Sequence, residues 1–384
     1  MKSSDIFPRT EYAQHLAEWL LKPSVLQESI RLGLFLAGER GTGKTTFVHQ
    51  DLLPALRALA GEVVCVELEL VGADQVMALV KTKLNEVGVG KMSALLAETR
   101  PYALRDTSRR PTPVILPAGA DLVLTIRAII DQRKTSVVLV LDDVQRLYGN
   151  PAGQAQLQAL KAVRDEINRN PNPAGYFLVV GVGSPEPLLR DMTISRSQPF
   201  LGAVCNRLEP LGQAYVDWAV SRWQAEARIQ WPGATDLLAG FQKLGHRPAS
   251  WRTALNIFQS KERANDQAFL TICETMAWAG AQADLQALQR MGKLAEAIFD
   301  ELVRGASQKG VFAEASLTSF QQALGSDVTV TKSKVQRVTT QMLEEGLIVR
   351  EGKGKYAVAD PLLVKVWSRD RDLVLSDEVE PRQR

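Results

Sequence analysis

Residues 38–45 read Gly38-Glu39-Arg40-Gly41-Thr42-Gly43-Lys44-Thr45, the pattern G-x-x-x-x-G-K-[ST]. Its glycines let the backbone wrap closely around an anion, with successive amides pointing inward. A helix that follows presents free N–H groups and the positive end of its dipole to the same anion. In such a loop Lys44 reaches the β- and γ-phosphates of a nucleotide, and Thr45 offers its hydroxyl to Mg²⁺. The context matches: the apolar run 32–37 reads as a buried strand, and a helix is expected from about Lys44 to Leu59. A random chain of this length matches the pattern on the order of one per cent of the time.

The rest of the first half alternates strands and helices. A helix is expected over 10–21, with Tyr12, Leu16, Trp19 and Leu20 on one face and Thr10 as its N-cap. Strands follow at 62–70, 137–141 and 176–182, with helices near 73–87, 120–133 and 153–169 between them. This alternation predicts βαβ units and a parallel sheet covered on both faces. Residues 100–119, rich in proline and arginine, read as a loop. Beyond about residue 210 the strand signal fades, and 212–290 read as a string of helices.

Residues 137–143 (Val-Val-Leu-Val-Leu-Asp-Asp) form an apolar strand that ends in two acids, at the carboxyl edge where parallel sheets bind ligands. Asp142 is the candidate magnesium holder, directly or through water, and Asp143 the candidate general base. Ser184, at the tip of the 176–182 strand, is placed to contact the γ-phosphate or the attacking water. Glu39, Arg40 and Thr46 complete the candidate nucleotide-binding stretch.

The C-terminal part carries a different pattern. Helices are expected at 291–303 (Leu294, Ile298, Phe299, Leu302), at 316–324 with Ser316 or Thr318 as cap, and at 331–345, the second broken by Ser326-Asp327. Two short strand-like runs flank Gly352-Lys353-Gly354, a hairpin signal. Three helices and a hairpin are the layout of a winged helix. Lys332, Lys334, Arg337, Arg350, Lys353 and Lys355 fall on its third helix and wing, where duplex DNA would be met.

Composition excludes several classes. Hydrophobic content of 45% with 23% charged residues is ordinary for a globular chain, and a net charge of +3 argues neither for nor against nucleic acid. Cys65, Cys205 and Cys273 are scattered among apolar neighbours and read as reduced, buried thiols. With three histidines, also dispersed, they offer no zinc-ligand spacing. The amino terminus has no apolar signal-peptide core, and no apolar run reaches the ~20 residues that span a bilayer. The reading is a cytoplasmic protein without a membrane partner.

Taken in order, Phe7-Pro-Arg-Thr-Glu11, Walker A at 38–45, Walker B at 137–143, Ser184, Gly245-His-Arg-Pro248 and the winged-helix-like end resemble the AAA+/STAND ATPases. The resemblance is to the branch of archaeal-type ATPases and origin-recognition-like initiators. It implies a P-loop ATPase domain over 1–210, an all-α lid over 211–290, a winged helix over 291–368 and a polar tail over 369–384. It also implies that Arg247 or Arg252 senses nucleotide from the lid, and that Arg196 or Arg207 is an arginine finger given to a neighbouring subunit in an ATP-dependent homo-oligomer. The expected function is an ATP-hydrolysing switch acting on DNA or a nucleoprotein assembly, in replication, transposition or defence. The alternatives are a signalling or defence ATPase whose winged helix docks a protein partner or holds the chain inactive, and a transcription regulator gated by ATP.

Overall fold

The computed structural model describes residues 6–59, 61–67, 74–88, 121–148, 151–169, 174–224, 231–260, 266–305, 310–325, 329–352 and 355–370. The chain divides into two compact units, Met1–Pro210 with Asp217–Arg222, and Leu211–Val216 with Trp223–Arg384.

The first unit is built on a five-stranded parallel sheet. Its strands are β1 (Leu34–Ala37), β2 (Gly61–Glu67), β3 (Ser136–Asp142), β4 (Phe177–Gly183) and β5 (Val204–Arg207), in the order β2-β3-β4-β1-β5. Strands β1 and β4 are buried along their whole length, and β3 from Val137 onward. Such burial on both faces explains why they read as apolar runs rather than as alternating sequences. Leu34, Leu36, Val138, Val140, Leu178, Val180 and Val182 line one face and share a core with Ala13, Leu16, Ala17 and Leu20 of helix α1 (Thr10–Leu21). Phe35 points to the other face and meets Phe200 edge-on at 5.4 Å.

After the glycine loop the chain makes one helical turn, α2 (Lys44–Phe47), then a π-helical turn over Val48–Leu52, then α3 (Leu53–Ala58). The crossovers use α4 (Val76–Gly88), α5 (Leu122–Arg133), α6 (Pro151–Asn168) and α7 (Glu186–Ile194). Asp121 caps α5 by accepting from Leu124 N at 2.8 Å. Arg164 of α6 is 3% exposed, donates to Asp165 and to the Leu32 carbonyl, and lies over the Phe200 ring.

The second unit is mostly helical. Helix α8 (Gln213–Gln224), of which Asp217–Arg222 belong to the first unit, is followed by α9 (Ala234–Lys243), α10 (Pro248–Gln259) and α11 (Asp266–Arg290). Phe241 is stacked on Tyr215 at 5.1 Å and meets Trp251 at 5.5 Å. Then come α12 (Lys293–Val303), α13 (Glu314–Leu324), α14 (Lys332–Glu344), the antiparallel pair β6 (Ile348–Gly352) and β7 (Lys355–Val358), and α15 (Pro361–Asp370). Helix α12 packs against α13, α14 and β7. Among the described residues no helix is long and apolar enough to cross a membrane.

Several sequence expectations are corrected. Arg9, not Thr10, is the N-cap of α1, and no side chain caps it. Ala313 rather than Ser316 or Thr318 precedes α13, and the Ser316 hydroxyl instead donates to the buried Glu301 carboxylate at 2.5 Å. Helix α15 was not expected, and it extends two residues into the stretch read as a tail. It is held by Trp367, which meets Phe299 edge-on at 5.1 Å and donates Nε1–H to Asp300 at 2.9 Å. Strand β5 was also missed. Cys273 is buried but Cys205 only partly so, and burial pushes their thiols up to about 12 and about 11. The 100–119 loop, Ser326-Asp327 and the side chain of Cys65 lie outside the described residues.

Gly181 sits mid-strand in β4, where an added Cβ would lie 2.8 Å from the Phe35 ring. Gly181→Ala should therefore overpack the sheet and lower stability by about 1–3 kcal/mol. Urea denaturation checks this: the midpoint should fall while the slope stays constant.

Candidate nucleotide-binding site

The strand register sets the site. Ala37, the last residue of β1, is level with Gly183 of β4 and Arg207 of β5. Gly38 N donates to Gly183 O at 3.2 Å, and Leu208 N donates to Ala37 O at 2.7 Å. The glycine loop thus leaves the sheet anchored to both neighbouring strand tips. Gly41 and Gly43 have φ of 78° and 87°, the left-handed region that favours glycine. A Cβ on Gly43 would meet nothing within 4 Å, so backbone conformation rather than space selects glycine there.

The loop closes on the carbonyl of Glu39. Thr42 Oγ1 donates to it at 2.8 Å and Lys44 Nζ at 2.7 Å. Lys44 is only 8% exposed, and burial lowers its pKa, with Asp143, Asp142 and Glu39 pulling the other way. An ammonium has three donors, and a carbonyl supplies no countercharge. Glu39, Arg40, Thr45 and Thr46 are exposed around the loop.

Strand β3 ends at Asp142, which is 4% exposed. Its carboxylate accepts from the Thr45 hydroxyl and, at 3.1 Å, from Asp143 N. Burial raises its pKa, and the Thr45 bond acts in the opposite sense. Asp143 follows in the left-handed region with φ 58°. Strand β4 separates β3 from β1, so helix α2 reaches over the β4 tip, about 10 Å at ordinary strand spacing, to bring Thr45 to Asp142. Ser184, buried at that tip, therefore stands between loop and carboxylates.

One residue here had no sequence signal. Gln145 is buried, donates Nε2–H to Asp143 Oδ1 at 2.9 Å and accepts Ser184 N–H on Oε1 at 3.2 Å. Arg9 is the other omission, quoted in the sequence only as part of the 7–11 stretch. Its N–H donates to Asp51 at 2.9 Å, its guanidinium lies 5.2 Å from the Tyr12 and Phe47 rings, and Nη2 donates to Glu209 O at 2.8 Å. It fastens the amino-terminal stretch to the helical segment behind the loop.

The candidate arginines are not gathered here in the same way. Arg207 ends β5, level with Ala37, exposed and 3.5 Å from Glu186. Arg196 is exposed in the segment that runs from α7 to the opposite, amino-terminal end of β5. In the second unit, Gly245 and His246 have positive φ, and Arg247 and Pro248 start α10. Arg247 and Arg252 are both exposed, and Arg252 lies 5.2 Å over the Trp223 ring. Lys332, Lys334 and Arg337 are exposed on the first turns of α14, and Lys355 is exposed at the start of β7. Lys334 Nζ donates to Thr329 O at 2.9 Å. Lys353 lies outside the described residues.

No family model and no curated protein matches the chain. The chain is similar in structure to origin-recognition and DnaA proteins. An Aeropyrum pernix ORC1 protein in complex with DNA is 17% identical with a TM-score of 0.44, over 96% of this chain and 94% of that one. An Aeropyrum pernix ORC2 protein in ADPNP and ADP complexes is 14% identical with a TM-score of 0.46, over 95% and 94%. AMPPCP-bound DnaA from Aquifex aeolicus is 12% identical with a TM-score of 0.38, over 88% and 90%.

The raised pKa of Asp142 has a measurable consequence. The native state holds that proton more tightly than the unfolded chain, so stability falls as pH rises through the native pKa. Asn at this position removes the cost and keeps an oxygen for Thr45. Asp142→Asn should therefore leave the thermal midpoint of ligand-free protein at pH 7 equal to or above the parent, with the difference shrinking toward pH 4. A midpoint several degrees lower at pH 7 would contradict this.

Proposed function

We propose that this chain binds Mg·ATP at the carboxyl edge of its sheet and hydrolyses it as a molecular switch that acts on DNA. The observation that carries the proposal is convergence. Lys44 and Thr45, Asp142 and Asp143, and Ser184 come from three separate stretches and meet at one edge. Backbone amides of residues 38–43 and the start of α2 take the phosphates, with Lys44 leaving the Glu39 carbonyl for the β- and γ-phosphates. Buried and held by a hydroxyl, the Asp142 carboxylate fits a divalent cation, so Thr45 and Asp142 are the residues that would hold magnesium. When bound, the ion would neutralise charge on the phosphates.

Asp143 accepts the proton of a water whose oxygen forms a bond to the γ-phosphorus. The bond from that phosphorus to the bridging oxygen breaks, and its electron pair leaves with ADP. The products are ADP and inorganic phosphate, and the proton passes from Asp143 to solvent. Ser184 orients the water or the γ-phosphate. From the second unit, the helices over 211–290 act as a lid, in which Arg247 or Arg252 senses nucleotide. Arg207 or Arg196 serves a neighbouring subunit in a homo-oligomer, and Arg207 is favoured because it ends its strand at the carboxyl edge.

Two substitutions separate binding from turnover. Lys44→Ala should abolish tight ATP binding in calorimetry. Asp143→Asn should leave ATP affinity near the parent value and reduce steady-state hydrolysis at least tenfold. Unchanged affinity in the first, or unchanged turnover in the second, would remove the corresponding role.

For the 291–368 segment we infer a winged helix that meets DNA phosphates through Lys332, Lys334, Arg337, Lys353 and Lys355. With three to five side chains engaged, log affinity for duplex DNA should fall with log salt at a slope of roughly −3 to −5. Lys334→Ala and Arg337→Ala should each reduce that slope by about one. Fluorescence anisotropy with the full chain and ATP is the measurement. No binding at micromolar protein in low salt would favour a protein-docking role for this segment.

A further inference from the structure

We propose that Gln145 is a positioning residue that ties Asp143 to the tip of β4, so that the proton acceptor and Ser184 are held as one unit. The inference rests on the reading of Asp143 as general base.

The hydrogen bonds admit one orientation of the carboxamide. A main-chain N–H can meet only its oxygen, and a carboxylate can meet only its NH₂. Gln145 therefore spans the tips of two neighbouring strands, from Ser184 N at 3.2 Å to Asp143 Oδ1 at 2.9 Å. It is 8% exposed, so neither bond is exchanged freely with water. A carboxamide donates and accepts at neutral pH without carrying charge. Glutamate at neutral pH would only accept, and leucine would do neither.

Two neighbouring features make sense on this account. Asp143 occupies the left-handed region, costly for a residue with a side chain, at the end of its strand. Its carboxylate is short, so its direction depends on what fixes that turn. One oxygen bound to Gln145 leaves Oδ2 aimed by the same contact. Gly183 is the second feature: a Cβ there would fall 2.0 Å from Gln145 Oε1. Its φ is not in the left-handed region, so the need for glycine at this position is the need for space beside the carboxamide.

The test is steady-state hydrolysis of Mg·ATP by the full chain, with ATP affinity from calorimetry and the thermal midpoint recorded alongside. Gln145→Ala should lower kcat about 10- to 100-fold, the scale expected of a misplacement near 1 Å, with affinity within about threefold. Gln145→Glu keeps the acceptor for Ser184 N–H, loses the donor and sets two carboxylates together, so it should be at least as slow. Gly183→Ala should reproduce the loss by another route, because its Cβ displaces the end of a flexible side chain rather than backbone. In the Asp143→Asn background, Gln145→Ala should slow turnover no further. Parent-like kcat in both Gln145→Ala and Gln145→Glu, or a loss that adds fully to that of Asp143→Asn, would overturn the proposal and leave Asp143 as base. Parent protein that binds ATP without turnover, or Asp143→Asn at the parent rate, would overturn the base itself and this inference with it.

Discussion

The hydrogen bond from Gly38 N to Gly183 O joins the start of the glycine loop to the tip of β4. It exists because β4, not β3, is the neighbour of β1, and because the register brings Ala37 level with Gly183. Everything else at the site is measured from this point. The loop turns back over β4, Lys44 and Thr45 come down beyond it, and the carboxylates of β3 are met from across an intervening strand. A chain with β3 beside β1 would crowd Asp142 against the loop and leave no strand tip between them for Ser184 or the Gln145 carboxamide.

Burial dominates the electrostatics of the site. Lys44 is buried against a neutral carbonyl, Asp142 is buried beside a second carboxylate, and burial shifts both toward their uncharged forms. Removing a charge from water without full compensation costs free energy. On the proposed function, triphosphate and cation would offset that cost. The π-helical turn and the left-handed Asp143 belong to the same pattern, local irregularities at the ligand edge of an otherwise regular sheet.

The sequence made the glycine loop, β3 and β4 legible because each is a local pattern: glycine spacing, or an apolar run long enough to be a buried strand. It also made the C-terminal order of three helices and a paired ribbon legible, since their periodicities are strong. Strand β5 escaped because Val204-Cys205-Asn206-Arg207 is short and mixed, and it is a strand only by pairing with β1. Gln145 escaped because its importance lies in reaching a residue 39 positions away. Arg9 and Asp51, 42 positions apart, have the same excuse. Helix α15 depends on Trp367 finding Asp300 and Phe299, which no window of sequence contains. Local code reveals elements, and tertiary pairing reveals which polar residues those elements need.

The π-helical turn at Val48–Leu52 carries one consequence beyond irregularity. A wider turn resets the angular phase of a helix, so residues after it are no longer bound to the face dictated by residues before it. Lys44 and Thr45 can aim at a ligand while Leu53 and Leu56 still point into the core. The same widened turn leaves Asp51 buried where it accepts the Arg9 N–H. The helix behind the loop is thus two short rods joined out of phase, the first carrying Lys44 and the core residue Phe47, the second carrying Leu53 and Leu56 into the same core. A change that restored ordinary α-helical winding would rotate one rod against the other, and Phe47 could no longer share the core with Leu53 and Leu56.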